Sequence, residues 1–279
     1  MGGDVADGLS EEPVSGSVSD RWSSGQSYES YVGRWSRLVA PVFLSWLAVP
    51  AGARWLDVGS GTGALTQAVL DQCAPRAVIG VEPSAPFREY AQARVTDPRA
   101  SFLPGNAQAL PVDDGAVDVA ISGLVLNFVP DRVTALTEMC RAAGSGATVA
   151  AYVWDYPGEM QLMTHFWDAA VALAPAARDV DERTRFDFCR PAPLRALFTE
   201  ARLRDVAVEA IVVPTDFADF DAYWSPFLSG TGPAPAHAAS SSDDDRAALR
   251  EALRTRLPTG DDGSIHLTAR AWAVRGTVA

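Results

Sequence analysis

LDVGSGTGA, residues 56–64, is the stretch that decides the fold, because a short apolar run leads directly into three glycines and then into a helical pattern. Glycine adopts backbone conformations that other residues avoid, so such a turn can approach a ligand closely. A helix that starts at the turn aims its first N–H groups at the same place. The stretch therefore predicts a ligand-binding turn between a strand and a helix, although a purely structural tight turn has the same pattern.

Short buried strands alternate with helices of about ten residues on either side of this turn. The strands are expected at 53–58, 77–82, 101–105, 117–122 and 148–154, and the helices at 64–73, 86–95 and 132–143. This alternation predicts a parallel sheet with right-handed crossovers. Residues 51–156 are thus the core of the predicted binding domain.

The second half of the chain is organised differently. Helices are expected at 165–173, 193–201, 216–228 and 243–257, strands at 205–213 and 264–276, and a loop at 230–242. Two late strands with a helical insertion between them predict one α/β sheet with an antiparallel edge. Residues 157–279 then complete the sheet, and insertions at about 157–201 and 216–262 form a cap over the crevice at the strand ends.

The first fifty residues contain two segments of different character. Residues 1–25 are rich in Gly, Ser and acidic side chains, which predicts a disordered tail. Residues 26–50 carry apolar side chains at helical spacing, with Pro41 as an interruption, which predicts a lid of one or two helices.

Charge and residue usage exclude several classes of protein. The 279 residues carry 35 acidic and 23 basic side chains, a net charge of −12 that argues against a nucleic-acid partner. Every basic residue is Arg, so mechanisms that need a catalytic or phosphate-binding lysine are excluded. Three scattered cysteines indicate neither disulfides nor a metal site, and no apolar run is long enough to span a membrane. We expect a cytoplasmic monomer or homodimer that acts on a small molecule.

Two carboxylates near the turn narrow the choice of ligand. Glu82 ends the second strand, where it can accept hydrogen bonds from both hydroxyls of a ribose. A nicotinamide dinucleotide and an S-adenosyl ligand both satisfy this position, and Gly59, Gly61 and Ala64 also fit the dinucleotide pattern G-x-G-x-x-A. Asp57 discriminates between them, because a carboxylate at this turn repels a pyrophosphate and attracts an ammonium or sulfonium group.

Four segments carry a specific resemblance: WLDVGSGTGALT (55–66), VIGVEPS (78–84), GNAQALPVDDGAVD (105–118) and AISGLVLNFVPD (120–131). In this order and at these intervals they resemble the class I S-adenosylmethionine (SAM)-dependent methyltransferases of the UbiE-like, or type 11, family. The resemblance implies a Rossmann-like, seven-stranded, mostly parallel sheet whose last strand is antiparallel. It also implies SAM as the cofactor, with Asp57, Gly59 and Gly61 at its methionine end and Glu82 on its ribose.

The same resemblance assigns further cofactor contacts and shows two departures. Asn106 and Ala107 would border the adenine, and Gly123 and Leu124 the sulfonium. The family usually has Asp at the position of Asn106, which predicts weaker binding because an amide oxygen can still accept a hydrogen bond. Many relatives carry His at the position of Asn127, so a possible general base is missing here.

A segment at the start of the first helix resembles the part of the family's fold that closes over SAM. It contains Tyr28 and Arg34, and Arg34 is expected to pair with the methionine carboxylate. A surface arginine beside helix-packing aromatics is the structural alternative.

Methyl transfer does not require a conspicuous catalytic residue, because the methyl carbon is already activated by positive sulfur. Proximity and alignment supply much of the acceleration, and a base is needed only when the acceptor must lose a proton. Asp155, which follows the fifth strand, could orient an acceptor, and His165 in the next helix could act as a base. A loop-capping carboxylate and a core histidine are the structural alternatives.

The favoured function is methyl transfer from SAM to an oxygen, nitrogen or carbon atom of a small metabolite. An aromatic stripe at 217–227 fits core packing better than a substrate cage, but a cap of this kind favours an apolar or aromatic acceptor, as in specialised or quinone-like metabolism. The alternatives are a SAM-binding protein without catalysis and an NAD-dependent oxidoreductase that uses the same turn.

Overall fold

Residues 33–230 and 232–279, the part of the chain that the computed structural model describes, form a seven-stranded sheet. The strands are β1 Arg54–Val58, β2 Ala77–Val81, β3 Ala100–Leu103, β4 Val119–Gly123, β5 Thr148–Trp154, β6 Arg204–Phe217 and β7 Ile265–Thr277. Their order across the sheet is β3-β2-β1-β4-β5-β7-β6. β1 to β5 pair in parallel, and β7 pairs antiparallel with both β5 and β6. The predicted fold class is confirmed.

Ten helices accompany these strands in the described residues. They are α1 Arg34–Leu47, α2 Ala64–Gln72, α3 Ala85–Arg94, α4 Arg132–Ala143, α5 Gln161–Leu173, α6 Glu182–Arg185, α7 Pro191–Glu200, α8 Phe220–Trp224, α9 Pro233–Ser240 and α10 Asp243–Arg256. Within this part of the chain, every helix is too short or too polar to cross a membrane. The predicted tail, residues 1–25, and Tyr28 lie outside the described residues.

β2 and β3 lie on one side of β1, and β4 and the later strands lie on its other side. This change of side between β1 and β4 positions the site. Open α/β sheets bind ligands at such a switch point, outside the carboxyl ends of the strands. The glycine turn leaves β1 at Val58, and the chain leaves β4 at Gly123. Both exits therefore lie at the same end of two neighbouring strands.

The structure differs in detail from the sequence-based expectations at three prolines. α1 runs through Pro41 without interruption. The segment expected as a loop at 230–242 contains α9, because Pro233 in a first helical turn presets the backbone and alanines follow it. β6 continues through Pro214 to Phe217, beyond the expected end at 213, because an edge strand tolerates a residue without an N–H group.

The aromatic stripe of 217–227 packs into the core. Phe227 stacks on Phe166 of α5 with ring centroids 4.5 Å apart. The buried Tyr223 hydroxyl donates a hydrogen bond to the Leu162 carbonyl at 2.9 Å. These contacts join α8 and the following turn to α5, so the stripe stabilises the packing between the two late insertions.

Candidate functional site

The glycine turn has the backbone that its sequence predicts. Gly59, Gly61 and Gly63 have φ angles of +74°, +52° and +80°, in the left-handed region that favours glycine. The amide of Gly59 donates to the Val81 carbonyl at 2.8 Å, which ties the turn to the end of β2. A Cβ atom at Gly59 would lie within 3 Å of the Val125 side chain, so the turn is packed tightly against the loop after β4.

A cavity of about 650 Å³ lies at this end of the sheet, within the size range of small-molecule sites. One wall is the turn 59–62, a second is the segment 82–84 after β2, and a third is the segment 123–125 after β4. Asn127 and Phe128, together with Arg185 and Phe186 from the insertion after β5, also line the cavity. The cavity thus joins the predicted cofactor site to a more aromatic region.

Asp57 is a buried carboxylate in the wall of this cavity. Its Oδ2 atom accepts a hydrogen bond from the Thr66 hydroxyl at 2.7 Å, whereas Oδ1 has no partner among the described residues. Burial raises the pKa of Asp57 to about 7; the hydrogen bonds of Thr66 oppose this rise and the nearby Glu82 carboxylate adds to it. A bound cation at this position would therefore favour the charged carboxylate.

Glu82 is held by the backbone of two neighbouring segments. Its Oε2 accepts from the Gly61 amide at 3.0 Å and its Oε1 from the Ser84 amide at 2.9 Å. Burial raises the pKa of Glu82, and these hydrogen bonds oppose the rise. Each carboxylate oxygen has more than one acceptor site, so both can still accept a ligand hydroxyl.

The end of β4 is shaped by a close contact with β5. The Leu124 amide donates to the Tyr152 carbonyl at 2.8 Å, and Leu124 itself has a left-handed φ of +61°. A Cβ at Gly123 would lie 2.7 Å from the Tyr152 hydroxyl oxygen. Only glycine at position 123 leaves this part of the cavity open.

Asp57, Gly59, Gly61, Glu82, Gly123 and Leu124 were predicted as cofactor-binding residues, and the structure brings all six together in the cavity wall. Asn106 and Ala107 do not line it: Asn106 is exposed, and its side-chain oxygen accepts from the Gln108 amide at 2.8 Å. Arg34 is also outside the lining. Its guanidinium lies 4.3 Å from the ring centroid of Trp35 and 5.0 Å from that of Phe217.

The two residues predicted to be catalytic have other surroundings. Asp155 is buried and forms an ion pair with Arg270, with an N–O distance of 2.6 Å, and it also accepts from the Glu159 amide. His165 is half-buried in α5, and burial lowers its pKa. Neither residue lines the cavity, so neither would contact a molecule that is bound there.

Several lining residues were not predicted from the sequence. Tyr152 could have been found from the pairing of β4 with β5, which places it beside Gly123. Arg185 and Phe186 had no such signal, because tertiary contacts alone bring α6 to the cavity. The buried Glu182 pairs with the Trp167 indole, and Arg183 bridges Asp181 and Asp168.

The fold and the site together define a Rossmann-like domain of the class I SAM-dependent methyltransferases. A family profile described as a methyltransferase domain matches residues 56–151. Demethylmenaquinone methyltransferase of Shouchella clausii is 32% identical over 179 residues, which are 58% of this chain and 75% of that protein. The chain belongs to the type 11, UbiE-like family of these methyltransferases, whose cofactor is SAM.

Two further comparisons define the extent of the similarity. Demethylmenaquinone methyltransferase of Roseiflexus castenholzii is 32% identical over 120 residues, covering 43% of this chain and 50% of that protein. The chain thus spans about half the length of some of its curated relatives. The structure of phosphoethanolamine N-methyltransferase 2 of Haemonchus contortus with bound SAM has a TM-score of 0.55 at 14% identity, over 91% of this chain and 56% of that one. That likeness concerns the fold.

Proposed function

We propose that the protein transfers the methyl group of SAM to a nucleophilic oxygen, nitrogen or carbon atom of a small apolar or aromatic molecule. The observation that carries this proposal is the buried Asp57 beside the glycine turn. Its Oδ1 has no hydrogen-bond partner in the described part of the chain. Buried polar atoms are almost always paired, so an exception in a cavity wall points to a ligand.

The residues at the turn fit SAM. The methionine end of SAM carries an ammonium and a sulfonium group, which Asp57 would attract, and the Glu82 carboxylate can accept from ribose hydroxyls. The buried Ser60 hydroxyl also lines the cavity and has no partner within the described residues. A pyrophosphate would face Asp57 and Glu82 together, which disfavours a nicotinamide dinucleotide.

When bound, SAM supplies a methyl carbon whose bond to sulfur breaks as the acceptor's electron pair forms the new bond. The chain's part is to hold the acceptor in line with that carbon and to keep water away. Phe128 and Phe186 provide apolar surface beyond the glycine turn, with ring centroids 5.3 Å apart in an edge-to-face contact. This surface favours a planar, apolar acceptor, in keeping with the quinone methylation that the names of two relatives describe.

Calorimetric titration with SAM, S-adenosylhomocysteine (SAH) and NAD, followed by incubation with methyl-labelled SAM and candidate acceptors, tests the proposal. We expect micromolar binding of both S-adenosyl ligands, no binding of NAD and transfer of label to an aromatic acceptor. Binding of NAD alone would overturn the cofactor assignment. Binding of SAM without transfer to any acceptor would favour a non-catalytic SAM-binding protein.

A further inference from the structure

Asn127 is a buried amide in the cavity wall without a partner. The residue is 4% exposed, and neither Nδ2 nor Oδ1 forms a hydrogen bond with any described residue. Asn127 lines the cavity next to Phe128 in the loop after β4. An unpaired buried amide costs free energy, which a bound molecule offering complementary groups would recover.

The backbone around Asn127 is fixed. Leu126–Phe128 forms a 3₁₀ turn, and Arg132 donates to the carbonyls of Leu126 at 2.9 Å and Asn127 at 3.3 Å. The Arg132 guanidinium lies 4.5 Å from the ring centroid of Phe188, which holds it in place. The backbone that carries the Asn127 side chain is therefore held in one conformation in the cavity wall.

No strong base accompanies Asn127 among the described lining residues. The lining carboxylates are Asp57 and Glu82, both beside the glycine turn, and none of the three histidines lines the cavity. Arg185 is the one cationic side chain among the described lining residues, and its charge favours an anion in the cavity. An amide donates and accepts hydrogen bonds but does not remove a proton.

We propose that Asn127 recognises an ionised hydroxyl on a planar ring of the methyl acceptor, an inference that rests on the proposed function. Nδ2 donates to the ionised oxygen, and Oδ1 accepts from a neighbouring donor when the acceptor has one. The ionised oxygen supplies the electron pair of the new O–CH₃ bond while the carbon–sulfur bond breaks, so no proton is released in this step. The acceptor class is that of acidic phenols and enols, which ionise without a protein base.

The probe is 4-nitro-1-naphthol, a two-ring phenol whose ionised form absorbs visible light that its neutral form does not. It is titrated into SAH-loaded protein at the pH where half of the free probe is ionised, and 1-nitronaphthalene is the control without a hydroxyl. We expect binding to increase the absorbance of the ionised form. We also expect the probe to bind at least about 10-fold more tightly than the control, as for a hydrogen bond to a charged group.

Variants separate recognition from folding. Asn127→Leu should bind the probe about 10- to 100-fold more weakly, and Asn127→Asp should bind it more weakly still because its carboxylate repels the anion. Thr215→Val is the matched control: Thr215 is also buried with an unpartnered hydroxyl, but it does not line the cavity, so probe binding should be unchanged. SAH affinity should be unchanged in all three variants.

Equal probe affinity in wild type and Asn127→Leu, or binding of the neutral form of the probe, would overturn the role of Asn127. Failure of 4-nitro-1-naphthol to bind the SAH-loaded protein would overturn it as well. Failure of the wild type to bind SAH would instead refute the proposed function on which the inference rests. The SAH titration thus distinguishes the two failures.

Discussion

Replacement of Asp57 by Asn should change how the stability of the ligand-free protein depends on pH. Burial raises the pKa of Asp57 from 3.8 to about 7, so the folded state binds a proton more tightly than the unfolded chain does. The stabilising effect of this proton is complete below the unfolded pKa and is lost as the pH rises through the folded pKa. One pH unit corresponds to about 1.4 kcal/mol, and the folded carboxyl is half ionised at pH 7, so between pH 5 and pH 7 wild type should lose about 2.3 kcal/mol that Asp57→Asn keeps.

Urea unfolding of both proteins from pH 5 to pH 8 measures this difference. The free energy of unfolding of wild type should fall relative to the variant up to about pH 7 and then run parallel to it. Asp118→Asn is the control, because a hydrogen bond from Arg54 lowers the pKa of the exposed Asp118, which places its titration below this window. A difference between wild type and Asp57→Asn that is constant from pH 5 to pH 8 would refute the burial argument.

The other predictions concern three positions. Glu82→Ala should weaken SAM binding by about 1.5–3 kcal/mol in calorimetry, the range for hydrogen bonds to a charged group, and unchanged affinity would remove Glu82 from the cofactor site. Gly123→Ala places a Cβ 2.7 Å from the Tyr152 hydroxyl and 2.8 Å from its ring, so thermal unfolding should show a loss of roughly 1–3 kcal/mol; unchanged stability would contradict the clash. Asp155→Ala leaves Arg270 without its buried partner, so the variant should lose roughly 3 kcal/mol of stability while its SAM affinity is unchanged. A loss of SAM affinity in a folded variant would instead place Asp155 in the cofactor site.

The sequence predicts site residues best at positions where the backbone conformation requires a particular residue type. Gly59 and Gly61 could be placed in the site because their positive φ angles and close contacts suit glycine, and Asp57 and Glu82 follow from their positions at strand ends. The cavity lining beyond β5 could not be predicted in the same way. Phe186 reaches the cavity through contacts between α5 and α6, and such contacts leave no periodic pattern in the chain.

Asp155 and His165 were predicted from residue type and position, and neither lines the described cavity. A carboxylate after a strand and a histidine in the next helix resemble catalytic groups, yet Arg270 from the antiparallel strand β7 forms an ion pair with Asp155. Pairing of this kind depends on the register between β5 and β7, in which Trp154 faces Ala271. That register is a tertiary property, so the ion pair could not be derived from the local sequence.

Unpaired polar atoms are a more specific guide to this site than charge or residue type. Asp57, Ser60 and Asn127 each contain a buried polar atom without a partner in the described chain, and all three line one cavity. Thr215, Arg34, His165 and four tryptophans have the same property elsewhere in the described chain, so burial without a partner does not by itself mark a ligand site. The coincidence of three such residues in the lining of one cavity points to a ligand site, because a cofactor and its acceptor bound there can pair with all three, and the free energy of each pairing then contributes to binding. Asp57 and Ser60 belong to the glycine turn that is typical of the family, whereas Asn127 departs from the common pattern. We therefore expect the turn to bind the cofactor and Asn127 to select the acceptor, as proposed above.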